Sequence, residues 1–116
     1  MEERFSQQLK KGVLEMLVLK LICDAPNYGY DLLNQLKEQS NQLFTLKEGT
    51  LYPILYRLED EGLIKASWMT GSGRASPKKI YEATSAGREE NLRRQRIWCE
   101  FECTVNDFLS GGKEND

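Results

Sequence analysis

The chain has 116 residues, the size of one domain, and its 40% hydrophobic and 29% charged content argues against a disordered polypeptide. It contains no histidine, which removes the commonest general base, the Ser/His and Cys/His nucleophile pairs and most zinc sites. The net charge is only −2, but the span 62–81 holds Lys65, Arg74, Lys78 and Lys79 with no acid among them, a local footprint for an anion.

The longest apolar run, Met16 to Leu19, is far below the roughly 20 residues that cross a bilayer. The charged start Met1-Glu2-Glu3-Arg4 does not resemble a signal peptide, so a cytoplasmic protein with no membrane partner is expected. The three cysteines, Cys23, Cys99 and Cys103, have no CxxC spacing. Neither a disulfide framework nor a metal site is expected, and small buried residues are the default reading of Cys99 and Cys103.

From Leu9 to Cys23 the apolar residues cover most of a helical circumference, which predicts a first helix buried on several sides. Pro26 ends it. Gly29-Tyr30 opens a short second helix with Leu32, Leu33 and Leu36 as its buried face and Asp31 near its N-terminus. A polar break at Gln39 to Gln42 follows. Leu51, Ile54, Leu55 and Leu58 define a third helix that starts near Glu48 to Thr50, with a bend allowed at Tyr52 before Pro53 and a cap at Gly62. Leu63 to Met69 reads as a strand, Thr70 to Pro77 as a loop, and Lys78 to Ala83 as the returning strand of a hairpin. Trp68 is expected to pack across that hairpin, with a ligand-facing orientation as the alternative. Thr84 caps a last helix from Ser85, in which Trp98, Phe101, Val105 and Phe108 form a heptad-like stripe. The tail, 110–116, reads as disordered.

Helices followed by a small β-hairpin give a mainly α fold with the element order of a winged helix-turn-helix, in which the third helix enters the major groove and the wing meets phosphates or the minor groove. The expected organisation is a winged-helix domain over 1–83 and a C-terminal dimerisation helix over 84–109. The segment Gly49-Thr50-Leu51-Tyr52-Pro53-Ile54-Leu55-Tyr56-Arg57-Leu58-Glu59-Asp60-Glu61-Gly62-Leu63-Ile64 resembles the signature of PadR-type transcriptional regulators. Lys11 to Leu19, Tyr28 to Leu33, Lys79-Ile80-Tyr81 and Thr84 to Arg88 match in the same order, so the resemblance spans about Leu9 to Phe108. The chain departs from the family pattern at Tyr28, where many members carry histidine, at Ala83, and at a less basic wing tip.

The chemistry of the third helix can be stated without the family. Gly49 lets backbone approach a phosphate, Thr50 can donate its hydroxyl, and the free N–H groups of the helix start favour an anion. Tyr52 is long enough to reach a backbone or base edge, and Lys47 is a mobile phosphate ligand. On the wing, Arg74, Lys78 and Lys79 are cations among small residues, with Arg suited to phosphate or minor-groove contact. Tyr30 joins this DNA-binding set. The plain alternatives are a helix start that binds nothing and a solvated hairpin. The acids Glu59, Asp60 and Glu61 read as a solvated face, with Arg57 and Glu61 as an i, i+4 pair.

A domain of this size cannot cover a long helix bearing Trp98, Phe101, Val105, Phe108 and Leu109, so a partner is expected. The resemblance implies a homodimer in which this helix packs with the partner's N-terminal helix, here through Leu9 and Val13. Some short members, multidrug regulators among them, bind flat aromatic molecules between paired tryptophans at that interface. Trp98 stands at the matching position, with Phe101 and an anionic Glu102 beside it; the alternative is that Trp98 is plain dimer core. The reading is therefore a homodimeric repressor of a pseudo-palindromic double-stranded DNA operator, released by a small hydrophobic or aromatic effector. It needs no cofactor or metal. The rival is a winged-helix protein-interaction module without DNA binding. An enzyme is not expected, because histidine, a phosphate-binding glycine loop and a paired-carboxylate site are all missing.

Overall fold

The computed structural model describes residues 3–70 and 76–111; Arg74, the wing tip and the tail from 112 lie outside the described residues. The first helix, α1, runs over Arg4–Asp24, one and a half turns earlier than the apolar pattern indicated. Only its second half is buried, through Leu14, Val18, Leu19, Leu21 and Ile22. Phe5 and Leu9 are exposed, so the expectation of a helix buried on several sides fails for its N-terminal half. The physical reason is length: the head of the protein is too small to reach both ends of a helix that rises about 1.5 Å per residue.

A two-residue strand, β1 (Asn27–Tyr28), leads into α2 (Gly29–Gln39). Asn27 is buried and fully engaged. Its Nδ2 donates to the Ala25 carbonyl at 3.0 Å, and its Oδ1 accepts from Gln35 Nε2 at 2.7 Å, tying the end of α1 to α2. The polar break after α2 turns through Asn41 and Gln42, both in the left-handed region at φ 54° and 71°. Leu32, Leu36, Leu51, Ile54, Leu55 and Leu58 then close the core against α1.

Helix α3 covers Glu48–Asp60 and is continuous through Pro53, its sixth residue. Its end is a Schellman cap. Gly62 sits at φ 76°, the Leu63 N–H donates to the Leu58 carbonyl at 2.9 Å, and the Gly62 N–H to Glu59 at 3.0 Å. The wing follows as β2 (Ile64–Met69) and β3 (Lys78–Ala83). It is not an isolated hairpin. The sheet is three-stranded and antiparallel in the order β1-β3-β2, with Asn27 opposite Tyr81 and Ile64 opposite Ala83. This anchors the wing beside the start of α2. Tyr81 is buried on that anchored strand, and burial pushes its hydroxyl up to about 12.

The last helix, α4 (Ser85–Leu109), has 25 residues. Thr84 caps it as its residue type suggests, its Oγ1 accepting from the Gly87 N–H at 3.0 Å and donating to the Gly62 carbonyl at 2.7 Å. Only Gly87 and Asn91 are buried along its length. Among the described residues no helix is long and apolar enough to cross a membrane.

Candidate nucleic-acid interface and apolar groove

The first turn of α3 stands in solvent. Lys47 occupies the N-cap position with extended backbone, no side chain caps the helix, and Glu48, Gly49 and Thr50 are exposed. Nothing lies within 4 Å of where a Gly49 side chain would project. An uncapped helix start of this kind presents N–H groups and the positive end of the helix dipole to an approaching anion, against a local opposing charge from Glu48.

Helices α2 and α3 and the wing enclose a groove of about 590 Å³ that brings together Tyr30, Tyr52, Lys78 and Lys79 from the candidate set; Lys47, Gly49 and Thr50 do not line it. Tyr30 is exposed. Tyr52 is half-buried, with its ring against Gly29: a Cβ on Gly29 would lie 2.5 Å from the Tyr52 hydroxyl, so the absent side chain is what admits the phenol. Lys78 is exposed, with its Nζ 5.8 Å from the centre of the Tyr28 ring. Tyr56 and Trp68 line the same groove and lie outside the DNA-binding set that the sequence pattern marks. Tyr56 lies one turn beyond Tyr52, which is the signal that was available. Trp68 is 67% exposed, so it does not pack away across the hairpin.

Of the acids at the end of α3, Asp60 is exposed as expected of a solvated face, while Glu59 and Glu61 each lie within 4 Å of a cation. Arg57 does not pair with Glu61; its Nε meets Glu15 of α1 at 2.6 Å. Glu61 instead faces Arg94 of α4 at 3.7 Å, and Arg94 also reaches Glu15 at 3.8 Å and Glu90 at 2.7 Å. The Arg94 hydrogen bond holds the Glu90 carboxyl below its usual range. Two arginines sharing Glu15 thus connect the end of the third helix to both long helices.

Helices α1 and α4 flank a second, mainly apolar groove of about 990 Å³. It gathers Leu9, Val13, Trp98, Phe101, Glu102 and Val105, with Met16, Ile97, Leu43 and Phe44 as neighbours that the sequence pattern did not mark. The Trp98 and Phe101 rings are tilted by 33° with centres 6.2 Å apart. Phe108 lies beyond the groove and is exposed. Cys99 and Cys103 are also exposed rather than buried, at positions of α4 that do not line the groove. Burial raises the Cys23 thiol instead. No cluster of three or more Cys, Asp or Glu able to hold a metal occurs among the described residues.

Residues 18–93 match the model of the transcriptional regulator PadR-like family. The chain is 35% identical over 78 residues to the negative transcriptional regulator PadR of Bacillus subtilis, covering 67% of this chain and 42% of that protein. Among solved structures, a PadR family transcriptional regulator from Eggerthella lenta superposes with a TM-score of 0.78 at 31% identity, over 89% of this chain and 87% of the other. A PadR-like transcriptional regulator from Bacillus cereus gives a TM-score of 0.75 at 32% identity, over 88% and 96% of the two chains. With a winged-helix head, an exposed third-helix start and this agreement across most of its length, the chain belongs to the PadR-like family of transcriptional regulators.

Proposed function

We propose that the protein is a homodimeric repressor that binds a pseudo-palindromic operator through Tyr30, Lys47, Gly49, Thr50, Tyr52, Arg74 and Lys78, in a reading head formed by 1–83. The observation that carries this reading is the uncapped, solvent-facing start of α3, together with a groove in which Tyr52 of the same helix faces the wing lysines Lys78 and Lys79. Repression is supported by the name of the Bacillus subtilis relative. Two heads on a two-fold axis read two half-sites, which supports palindromy. Salt-dependent retention on duplex DNA is the test, since phosphate contacts make affinity fall steeply with salt. Lys78→Ala should weaken binding to every sequence and shallow the salt slope by about one unit. A wild-type protein that ignores duplex DNA at low salt would favour the protein-interaction module instead.

Gly49→Ala separates binding from folding. The new methyl meets no neighbour, so the helix should gain stability, by less than the roughly 0.5–1 kcal/mol of a helix interior because Gly49 is in the first turn, while closer packing on a phosphate is lost. A higher melting temperature with weaker operator binding is expected; unchanged binding would remove Gly49 from the interface.

The same proposal places an effector between α1 and α4, at Trp98, Phe101 and Glu102. Planar aromatic compounds suit this site because rings can stack on Trp98 and Glu102 favours a cationic substituent. Release from DNA follows if the ligand prefers a head spacing that does not fit the operator. Titrating planar dyes against tryptophan emission should give quenching in the wild type and lose it in Trp98→Ala, with Trp68 as internal reference. Equal affinity in both proteins would leave Trp98 as dimer core.

A further inference from the structure

Two adjacent wing lysines sit in different surroundings. The Nζ of Lys79 lies 5.8 Å from the Tyr56 ring centre, 5.9 Å from Trp68 and 5.5 Å from Tyr81, with the Glu59 carboxylate at 3.9 Å. Its side chain is only 30% exposed. Tyr56 and Glu59 belong to α3, whereas Trp68 is the cross-strand partner of Lys79 and Tyr81 is on its own strand. One ammonium is therefore held by the third helix on one side and by both wing strands on the other. Lys78 has a single ring near it and, among the described residues, no carboxylate within ion-pair distance.

We propose that Lys79 is a positioning residue that clamps the wing to α3, and that the phosphate contact of this strand falls to Lys78 alone. The inference rests on the DNA-binding reading. To reach a phosphate, Lys79 would have to leave three ring faces and a carboxylate that each attract a cation. The outer half of β2, from Ser67 to Met69, is exposed, so apolar packing contributes little to holding the wing there. The clamp supplies what packing does not. It sets the distance between the two elements that meet DNA, and a fixed distance selects the operator over other sequences.

Lys79→Met keeps the stem and removes the charge. It should lower operator affinity about tenfold, leave affinity for unrelated duplex unchanged and leave the salt slope at its wild-type value. Trp68→Ala removes one wall of the box without altering charge and should give the same selective loss. Lys78→Met should weaken binding to both DNAs alike and reduce the salt slope by about one unit. In a Trp98→Phe background, Lys79→Met should change Trp68 emission without any DNA present, whereas Lys78→Met should not. A slope reduced by about one unit in Lys79→Met, or wild-type operator binding by Trp68→Ala, overturns the clamp. Failure of the wild type to bind any duplex overturns the DNA-binding reading, and the emission comparison still decides whether Lys79 sits in the box.

Discussion

Gly87→Ala is expected to lower the melting temperature by roughly 10–20 °C. The position is crossed by backbone: an ideal Cβ there would fall on the Leu63 carbonyl oxygen and lie 2.9 Å from its carbon. That carbonyl is already in use, accepting from the Thr84 N–H at 3.1 Å. On its other side Gly87 offers its own carbonyl to the Cys23 thiol at 3.8 Å. No flexible side chain can swing away, so α4 must lift off the wing root and take the Thr84 cap with it. Overpacking costs about 1–3 kcal/mol even where neighbours yield, and loss of a threonine cap adds about 1. At roughly 3–6 °C per kcal/mol for a chain of this length, the shift should be plain in a circular-dichroism melt. Gly29→Ala is the informative comparison. Its methyl meets the far end of Tyr52, a side chain that can rotate out, so a smaller loss is expected. A wild-type midpoint for Gly87→Ala would mean that α4 does not start against Leu63.

Features encoded within a few residues were legible in the sequence. Gly62 and Thr84 announced a helix end and a helix start because each cap is a local hydrogen-bond arrangement with a strong residue preference. The third helix was legible from the spacing of its four buried residues. What escaped was set by distant partners. Strand β1 is two residues long, too short to show alternation, and exists only because Tyr81 and Ile80 lie alongside it. The i, i+4 rule paired Arg57 with Glu61, yet Glu15, 42 residues away in sequence, takes the guanidinium. At the candidate site, the residue types at the start of α3 pointed to an anion-facing terminus, and the structure leaves that terminus open. Lys78 and Lys79 were indistinguishable in sequence. Their surroundings differ because Tyr56 and Glu59 of α3, with Trp68 and Tyr81 of the wing, gather round Lys79, whereas Lys78 meets, among the described residues, only the Tyr28 ring.

Phe101→Ala is expected to convert the protein from dimer to monomer at micromolar concentration while leaving its helical spectrum intact. Within one protomer Phe101 is 60% exposed and Phe108 80% exposed, so truncating either removes little of the protomer's own packing. The stripe continues through Ile97, Trp98 and Val105 and faces exposed Leu9 across the groove, an apolar surface left uncovered by the described residues of the single chain. If a second copy covers it, each Phe101 becomes buried on association, and loss of a buried phenylalanine costs about 3–5 kcal/mol. Two-fold symmetry removes the contact twice, which weakens the dimer by a factor of at least about 10³. Sedimentation equilibrium should report a wild-type dimer, a Phe101→Ala monomer, and an unaltered dimer for Met69→Ala, an exposed apolar truncation on the wing. Operator binding by Phe101→Ala should fall with it, because a lone head loses the second half-site and the shared positioning of both. A wild-type protein that sediments as a monomer at tens of micromolar would leave the α1–α4 groove without a second copy of the chain to fill it.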